Sequence, residues 1–206
     1  MMAPNTERIK KRYNRVAVVF DLLEKPMEKF TSSWRREIIK EVYGKVLEVG
    51  VGTGKNIPYY APDVEVVAID FSKKMLEKAR AKYQHIFPDV TFIEMDVQQL
   101  DFSDNSFDCV VTSCVFCSVP LPVLGLKEIR RVLKPGGKLV MLEHVRSQKK
   151  LVGPLMDILN PIPLFLYGAN INRRTVANLR QAGFKQITET NLWADIFKKI
   201  VAVNGK

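Results

Sequence analysis

The segment Lys45-Val-Leu-Glu-Val-Gly-Val-Gly-Thr-Gly54 decides the fold of this chain. Its first half carries the apolar residues Val46, Leu47 and Val49, a pattern typical of a strand buried on both faces of a parallel sheet. Its second half has glycine at every other position, which permits a sharp turn and a close approach of ligand to backbone. We therefore predict a buried strand followed by a ligand-binding turn, with an ordinary glycine-rich loop as the alternative. The three glycines are Gly50, Gly52 and Gly54.

A second strand strengthens the ligand-binding interpretation. The apolar run from Val64 to Ile69 ends in Asp70, twenty residues after Gly50. A strand, a glycine turn, a helix and a second strand ending in a carboxylate form the geometry that binds a nucleoside, because the carboxylate accepts both ribose hydroxyls. NAD enzymes space their glycines G-x-G-x-x-G, whereas this chain has G-x-G-x-G preceded by Glu48. This tighter form resembles motif I of the class I S-adenosyl-L-methionine (SAM)-dependent methyltransferases.

The composition bounds the class of protein. The chain has 206 residues, a formal net charge of +10 and a pI of about 9.5. This length suits one α/β domain, and the basic surplus attracts nucleic acid, anionic lipid or acidic substrates. Three cysteines argue against a disulfide framework and favour a reducing, cytoplasmic compartment. Cys114 and Cys117 form a C-x-x-C without a second ligand pair, so we predict two small core residues and no metal site.

The sequence gives no sign of a targeting or membrane-spanning segment. No clean apolar segment with a cleavage site follows the basic first fifteen residues. The most apolar segment, Leu151 to Tyr167, is interrupted by glycine, proline and polar residues and falls short of the roughly 20 apolar residues that span a bilayer. We therefore expect a cytoplasmic protein, either free or peripheral on the inner face of the membrane.

The N-terminal part, residues 1–44, is predicted to be a helical cover that leads into the first strand. From Glu7 to Phe20, apolar residues recur at helical spacing among lysines and arginines. Such a basic amphipathic helix either lies on an anionic membrane surface or packs on the core with a solvated basic face. A second helix is predicted after Pro26. Its expected buried stripe is Met27, Phe30, Trp34 and Ile38.

The resemblance to class I methyltransferases extends along the chain and implies roles for particular residues. The family often carries a Tyr-x-x-x-Ala-x-x-Tyr-Asp pattern in its cover; Tyr13 keeps the first tyrosine, as a candidate catalytic residue, and Phe20 replaces the second. The family also places an aspartate after the third strand to accept a hydrogen bond from the adenine amino group, and Asp96 matches it. Phe71 is positioned to stack on the adenine. The candidate cofactor-binding residues are Glu48, Gly50, Gly52, Gly54, Asp70, Phe71, Met75, Asp96, Val97, Ser113 and Cys114.

The end of the fourth strand points to the acceptor side of the site. The run from Leu100 to Val111 resembles the family's approach to this strand, and Asp108 within it is interpreted as structural. Because ligands bind beyond the carboxyl ends of parallel strands, we expect Ser113 to Phe116 to line the methionine part of SAM and the acceptor. Enzymes that methylate the exocyclic amines of bases carry an Asn/Asp-Pro-Pro-aromatic run here, which this chain lacks. Its basic residues are also scattered, so no nucleic-acid partner is expected.

The fifth strand and the segment after it complete the predicted site. Leu133-Lys-Pro-Gly-Gly137 is among the family's most specific signatures and is expected to end a helix and lead into a strand from Lys138 to Glu143. His144, at the end of that strand, is either a general base or a histidine bonded to backbone. Residues 146–172 form either an apolar lid or acceptor pocket with a basic rim, or a simple packed loop.

These motifs imply an α/β, Rossmann-like class I methyltransferase fold with a seven-stranded, mostly parallel sheet, helices on both faces and a helical N-terminal cover. The single domain, residues 1–206, is expected to comprise the cover (1–44), the SAM-binding core (45–145), the lid or acceptor insert (146–172), and a C-terminal helix with a strand pair (173–206).

The implied activity is methyl transfer from SAM, with S-adenosyl-L-homocysteine as product, to a lipophilic small molecule. The basic N-terminus, the apolar insert and the motif spacing look most like bacterial phospholipid N-methyltransferases, which methylate phosphatidylethanolamine at the membrane surface. Thiol S-methylation and C-methylation of a quinone precursor are the alternative reactions. A protein that binds or senses a nucleotide without transferring a methyl group is the alternative outside the enzymes.

Overall fold

A seven-stranded sheet forms the centre of the protein. The structure, a computed structural model, describes residues 4–17 and 20–206, without the side chains of residues 4, 5, 23, 24, 27 and 167. The strand order is β3-β2-β1-β4-β5-β7-β6, in which β7 runs antiparallel to both of its neighbours and the other pairs are parallel. The strands are β1 (Lys45–Val49), β2 (Glu65–Asp70), β3 (Thr91–Glu94), β4 (Phe107–Ser113), β5 (Leu133–His144), β6 (Gln186–Trp193) and β7 (Phe197–Val203).

Helices cover both faces of this sheet. On one face, Ile38 of the second helix and Leu76 of the third pack against the strands. On the other face, Leu126 and Leu179 of two later helices join the largest apolar cluster. The predicted sheet with helices on both faces is therefore confirmed. The α-helices of the described residues are α1 (Pro4–Val16), α2 (Phe20–Ile39), α3 (Lys73–Tyr83), α4 (Pro122–Val132), α5 (Val152–Leu159), α6 (Pro161–Tyr167) and α7 (Thr175–Gln181).

The central strand is buried on both faces, as its sequence predicts. Val46 and Leu47 point to opposite faces and are completely buried. Val49, the last residue of β1, lies opposite Ile69 on β2 and Thr112 on β4. The three strands thus end side by side, at the point where the order of strands reverses direction, which is where α/β sheets bind their ligands.

The helical cover has other boundaries than the sequence indicates. α1 ends at Val16 instead of continuing to Phe20, and α2 begins at Phe20, so that Pro26 lies inside α2. The first turn of α2 is held by Asp21, which accepts a hydrogen bond of 2.7 Å from the Thr53 hydroxyl. Contacts of this kind with distant parts of the chain stabilise the first turns of α2, although Pro26 has no N–H to donate to a backbone hydrogen bond of the helix.

The predicted apolar stripe of α2 is only partly buried. Ile38 is fully buried, but Phe30 is 68% exposed, so its prediction as a core residue is wrong. The buried face of the helix instead carries the polar residues Thr31 and Arg35, which are turned toward the ligand crevice. The side chain of Met27 lies outside the described residues.

β5 begins at Leu133, five residues before the predicted start at Lys138. The glycines of the signature therefore lie within the strand. Backbone pairing with Asn204 explains this, because Gly136 donates its N–H to the carbonyl of Asn204 and Asn204 donates its own to Gly137 (2.8 and 2.9 Å).

The insert between β5 and α7 folds into two helices, α5 and α6. Its proline-interrupted sequence predicts either a lid or acceptor pocket, or a packed loop. The antiparallel pair of β6 and β7 then closes the sheet, as expected. None of the described helices combines the length and the apolar character needed to cross a membrane.

Candidate active site

A cavity of about 460 Å³ opens at the carboxyl ends of the central strands. A second cavity of about 40 Å³ adjoins it, and the two cavities share Gly50, Asp70, Phe71, Val115 and Ser118. The sequence-predicted residues in the wall of the large cavity are Tyr13, Gly50, Gly52, Asp70, Phe71, Met75, Ser113, Cys114 and His144. Asp96 and Val97 line the small cavity.

The glycine turn depends on the absence of side chains. Gly50 and Gly52 have φ values of +69° and +57°, in the left-handed region that glycine adopts readily. A Cβ on Gly50 would lie 2.5 Å from Cγ2 of Val115, whereas a Cβ on Gly52 would meet no atom within 4 Å. Because Gly52 lies in the cavity wall, its backbone is open to a bound ligand.

Asp70 is held at the mouth of this turn by two backbone donors. The N–H groups of Gly52 and Ser72 donate to its two carboxylate oxygens, at 2.9 and 2.8 Å. Burial raises the pKa of the Asp70 carboxyl to about 6, although these two N–H groups oppose the shift. Ser72 also caps α3 through its hydroxyl, as the sequence predicts.

Two predicted cofactor residues lie behind the cavity wall and outside its lining. Glu48 is buried and accepts hydrogen bonds from Asn56 Nδ2 (3.0 Å) and the Tyr60 hydroxyl (2.9 Å). Burial raises the pKa of the Glu48 carboxyl to about 7. Gly54 faces Tyr83, because a Cβ there would come within 2.6 Å of the ring. In this structure Glu48 supports the turn from behind, and Gly54 lets α3 pack closely.

The small cavity lies between α1 and the ends of β2 and β3. The Asp96 carboxylate on its wall accepts hydrogen bonds from the backbone and side chain of Gln98 (2.9 to 3.1 Å). The Gln98 amide also donates to Thr6 of α1 at 3.0 Å. This network closes the cavity from the α1 side.

Further hydrogen bonds hold α1 over the crevice. The hydroxyls of Tyr13 and Ser118 are 2.5 Å apart, and the Ser72 hydroxyl donates to Asn14 Oδ1 at 2.7 Å. The Tyr13 ring also meets the edge of Phe71, with centroids 5.6 Å apart. The candidate catalytic residue Tyr13 is therefore part of the lid that α1 forms over both cavities.

The cavity wall also carries a group of charged residues that were not predicted from the sequence. Arg35 is 8% exposed and its Nη1 donates to Asn56 Oδ1 (3.2 Å). Its Nε lies 3.8 Å from Glu28, too far for a hydrogen bond, and has no hydrogen-bond partner among the described residues. Lys55 pairs with Glu28 at 2.9 Å. Glu28, Thr31 and Arg35 are spaced so that they share one polar face of a helix. This spacing is the feature of the sequence from which the group could have been predicted.

The opposite end of the cavity is lined by His144, Phe197 and the residues that follow α6. The His144 and Phe197 rings meet edge to face with centroids 5.1 Å apart. Burial lowers the pKa of His144, so the ring is neutral at pH 7. Cys114 and Cys117 lie in this wall, which corrects their prediction as core residues. Among the described side chains, no group of three or more His, Cys, Asp and Glu residues is arranged to hold a metal ion.

A buried acid supports the loop that ends β4. Oε1 of Glu143 accepts hydrogen bonds from the Thr112 hydroxyl (2.9 Å) and from the N–H groups of Val115 and Phe116 (3.2 and 3.4 Å). Oε2 has no hydrogen-bond partner among the described residues. Burial raises the pKa of the Glu143 carboxyl from 4.5 to about 7, a difference worth roughly 3 kcal/mol.

We expect Glu143→Gln to gain stability relative to the wild type as the pH rises from about 4.5 to about 7. The raised pKa makes Glu143 favour the folded state at low pH, and this contribution is lost as the carboxyl ionises. Melting temperatures of both proteins between pH 3 and 8 measure the difference. Glu128→Gln is the control of opposite sign, because Arg131 lowers the pKa of Glu128. A pH-independent difference for Glu143→Gln would contradict the expectation.

A mostly parallel sheet with this strand order, with a glycine turn and an acidic strand end at its switch point, defines a nucleoside-binding fold of the methyltransferase type. The family model described as a methyltransferase domain matches residues 47–141. The ubiquinone/menaquinone biosynthesis C-methyltransferase UbiE of Bdellovibrio bacteriovorus is 34% identical over 163 residues, which are 75% of this chain and 69% of that relative. The chain therefore belongs to the class I SAM-dependent methyltransferases. This membership identifies an enzyme domain with SAM as its cofactor.

Other relatives differ in the acceptor that their names give. A phosphatidylethanolamine N-methyltransferase of Cereibacter sphaeroides is 41% identical over 117 residues, 56% of either chain. The thiol S-methyltransferase TMT1B of Rattus norvegicus is 32% identical over 69% of this chain and 60% of its own length. The chain thus spans little more than half the length of these relatives. A SAM-dependent methyltransferase of Thermotoga maritima shares the fold, with a TM-score of 0.72, 20% identity, and coverage of 94% of this chain and 99% of that one.

Proposed function

We propose that this protein transfers the methyl group of SAM to a lipophilic small molecule, and that the acceptor is the amine of phosphatidylethanolamine. One observation carries the proposal: the large cavity runs without interruption from the glycine turn and Asp70 to His144 and Ile171. A cofactor site and an acceptor site therefore share one cavity, as direct transfer between two bound molecules requires.

The residues of the cavity fit SAM. The open backbone at Gly52 and the Asp70 carboxylate suit the ribose, and Phe71 and Asp96 suit the adenine in the small cavity. The unsatisfied Nε of Arg35, with Lys55, suits the carboxylate of the amino-acid part, while Glu28 suits its ammonium group. SAM supplies an electrophilic methyl group on a positively charged sulfur.

At the acceptor end, the chain's own residues orient the amine and remove a proton. An ethanolamine headgroup is an ammonium ion at pH 7 and becomes a nucleophile only when its nitrogen loses a proton. His144 lies in the cavity wall, and burial lowers the pKa of its ring, so the ring is neutral and accepts that proton. Phe197 and Ile171 provide an apolar wall that excludes water.

The choice of a phospholipid is supported by charge and by similarity. A net charge of +10 attracts an anionic membrane surface, and the phosphatidylethanolamine N-methyltransferase named above is 41% identical to this chain over 117 residues. A thiol acceptor is the second candidate, because the thiol S-methyltransferase matches a longer part of this chain. A quinone precursor is a third, by the UbiE relative.

The test is a SAM-consumption assay with phosphatidylethanolamine vesicles, an alkyl thiol and a demethylated quinol offered separately. Turnover with the vesicles and appearance of an N-methylated lipid are expected. Turnover with the thiol or the quinol alone would replace the acceptor and keep the reaction class. Melting curves with SAM, S-adenosyl-L-homocysteine and NAD accompany the assay, because stabilisation by NAD alone would overturn methyl transfer itself.

A further inference from the structure

The pair of helices after β5 presents an unusually apolar surface. Six large apolar side chains on this pair are each more than half exposed, with Leu151 at 85%, Ile158 at 74% and Phe165 at 75%. Leu151, Leu155 and Ile158 recur at helical spacing on one side of α5, and an exposed apolar patch marks a site of interaction in a folded protein. We call these residues the α5–α6 apolar face: Leu151, Leu155, Ile158, Ile162, Phe165 and Leu166.

Polar contacts at their ends hold these helices in place. Arg146 donates three hydrogen bonds of 2.8 to 3.0 Å to Asp157, the single charged residue between Leu151 and Tyr167. At the junction of the two helices, Asn160 accepts the N–H of Ile171 at 2.8 Å. The exposed apolar side chains therefore belong to helices with defined anchor points, and their one charge is neutralised by its partner.

Basic residues flank the apolar face. Lys149 and Lys150 are exposed just before it. α1, which carries the exposed basic residues Arg8, Lys11 and Arg15, is joined to α6 by a 2.6 Å hydrogen bond from Arg12 to the carbonyl of Leu164. An apolar surface bordered by cations complements a bilayer with anionic lipids, because the acyl chains contact the apolar side chains and the phosphates pair with the cations.

We propose that the α5–α6 apolar face inserts into one leaflet of an anionic membrane, with the basic residues of α1 and Lys149–Lys150 resting on the headgroups. Residues 169–171, which follow α6, line the large cavity, so the inserted helices would lie beside that cavity and give a lipid acceptor an entrance to it. That entrance role rests on the proposed function, whereas insertion itself does not.

A second copy of the chain is a poorer occupant of this face. Two copies in contact through it would bring their basic borders together, and like charges repel at short range. A bilayer with anionic lipids has the opposite charge.

The experiment measures vesicle binding and insertion in the full chain. Wild-type protein is floated with vesicles of phosphatidylcholine alone or with added phosphatidylglycerol, at low and high salt. We expect binding to the anionic vesicles only, and a loss of about tenfold or more in partitioning for Ile158→Ser/Phe165→Ser. The matched control is Ile86→Ser/Leu124→Ser, two exposed apolar residues on other helices or loops, and it should bind as the wild type does.

Insertion is detected directly with Phe165→Trp in vesicles that contain brominated lipids. Quenching of that tryptophan is expected, and Ile86→Trp should show none beyond the wild-type signal. Unchanged binding of the double variant, absence of quenching, or equal binding to neutral vesicles would overturn the proposal. A dimer in solution that Phe165→Ser dissociates would assign the face to a second copy. Because these readouts do not depend on turnover, they stand even if the acceptor is a thiol or a quinol.

Discussion

Gly50→Ala is expected to weaken SAM binding about 100-fold. A left-handed φ destabilises an alanine by about 1–2 kcal/mol, and the overlap of its Cβ with Val115 adds about 1–3 kcal/mol. Together these costs are enough to lower the affinity by about two factors of ten. We expect the free variant to relieve this strain by displacing the turn. Binding must bring the turn back against Asp70, so the strain appears in the dissociation constant. Titration calorimetry with SAM and S-adenosyl-L-homocysteine measures it.

Gly136→Ala is the matched control for that experiment. Gly136 also has a left-handed φ, +75°, but a Cβ there would meet no atom within 4 Å, and the residue lies outside both cavities. We expect a lower melting temperature, from a cost of about 1–2 kcal/mol, with unchanged SAM affinity. If Gly50→Ala bound SAM within threefold of the wild-type constant, the turn would not be the cofactor site.

His144→Ala is expected to reduce kcat about 100-fold with little change in the dissociation constant of SAM. In the proposed reaction the amine of the acceptor loses a proton before it attacks, and His144, which lies in the cavity wall, accepts that proton. Turnover and SAM binding are measured separately, with phosphatidylethanolamine vesicles as the acceptor. His85→Ala, the exposed histidine beyond α3, is the control and should retain full activity.

The pH profile gives a second readout of the same role. Because burial lowers the pKa of His144, the wild-type rate should hold through neutral pH and fall at acidic pH, where the ring takes up a proton. The variant should lose the acidic limb that His144 produces. Full turnover of His144→Ala, with normal SAM binding, would remove the histidine from the mechanism.

The core of the fold could be predicted because its signals are local. The alternation of apolar residues and glycines around Gly50, and the carboxylate at Asp70, specify the strand, the turn and the second strand within some twenty-five residues. The same holds for the positions of Asp96, which follows β3, and His144, the last residue of β5, because the carboxyl ends of these strands lie at one edge of the sheet.

The parts that escaped prediction depend on contacts between distant segments. Pro26 falsely indicated a helix start, since Asp21 is held by residues far along the chain. Arg35 reaches the cavity only because α2 packs across the ends of the strands, and nothing in its immediate sequence identifies a ligand. Glu48 matches a family motif, yet its side chain turns away from the cavity toward Asn56 and Tyr60.

The fastening of α1 has a consequence for how the protein exchanges its cofactor. The helix that covers the small cavity through Thr6 and the large cavity through Tyr13 also contacts α6 through Arg12. A movement of α1 away from α6 that opens these cavities therefore breaks the hydrogen bond from Arg12 to the carbonyl of Leu164. Release of the nucleoside product and the attachment of α6 to a surface are therefore coupled through α1.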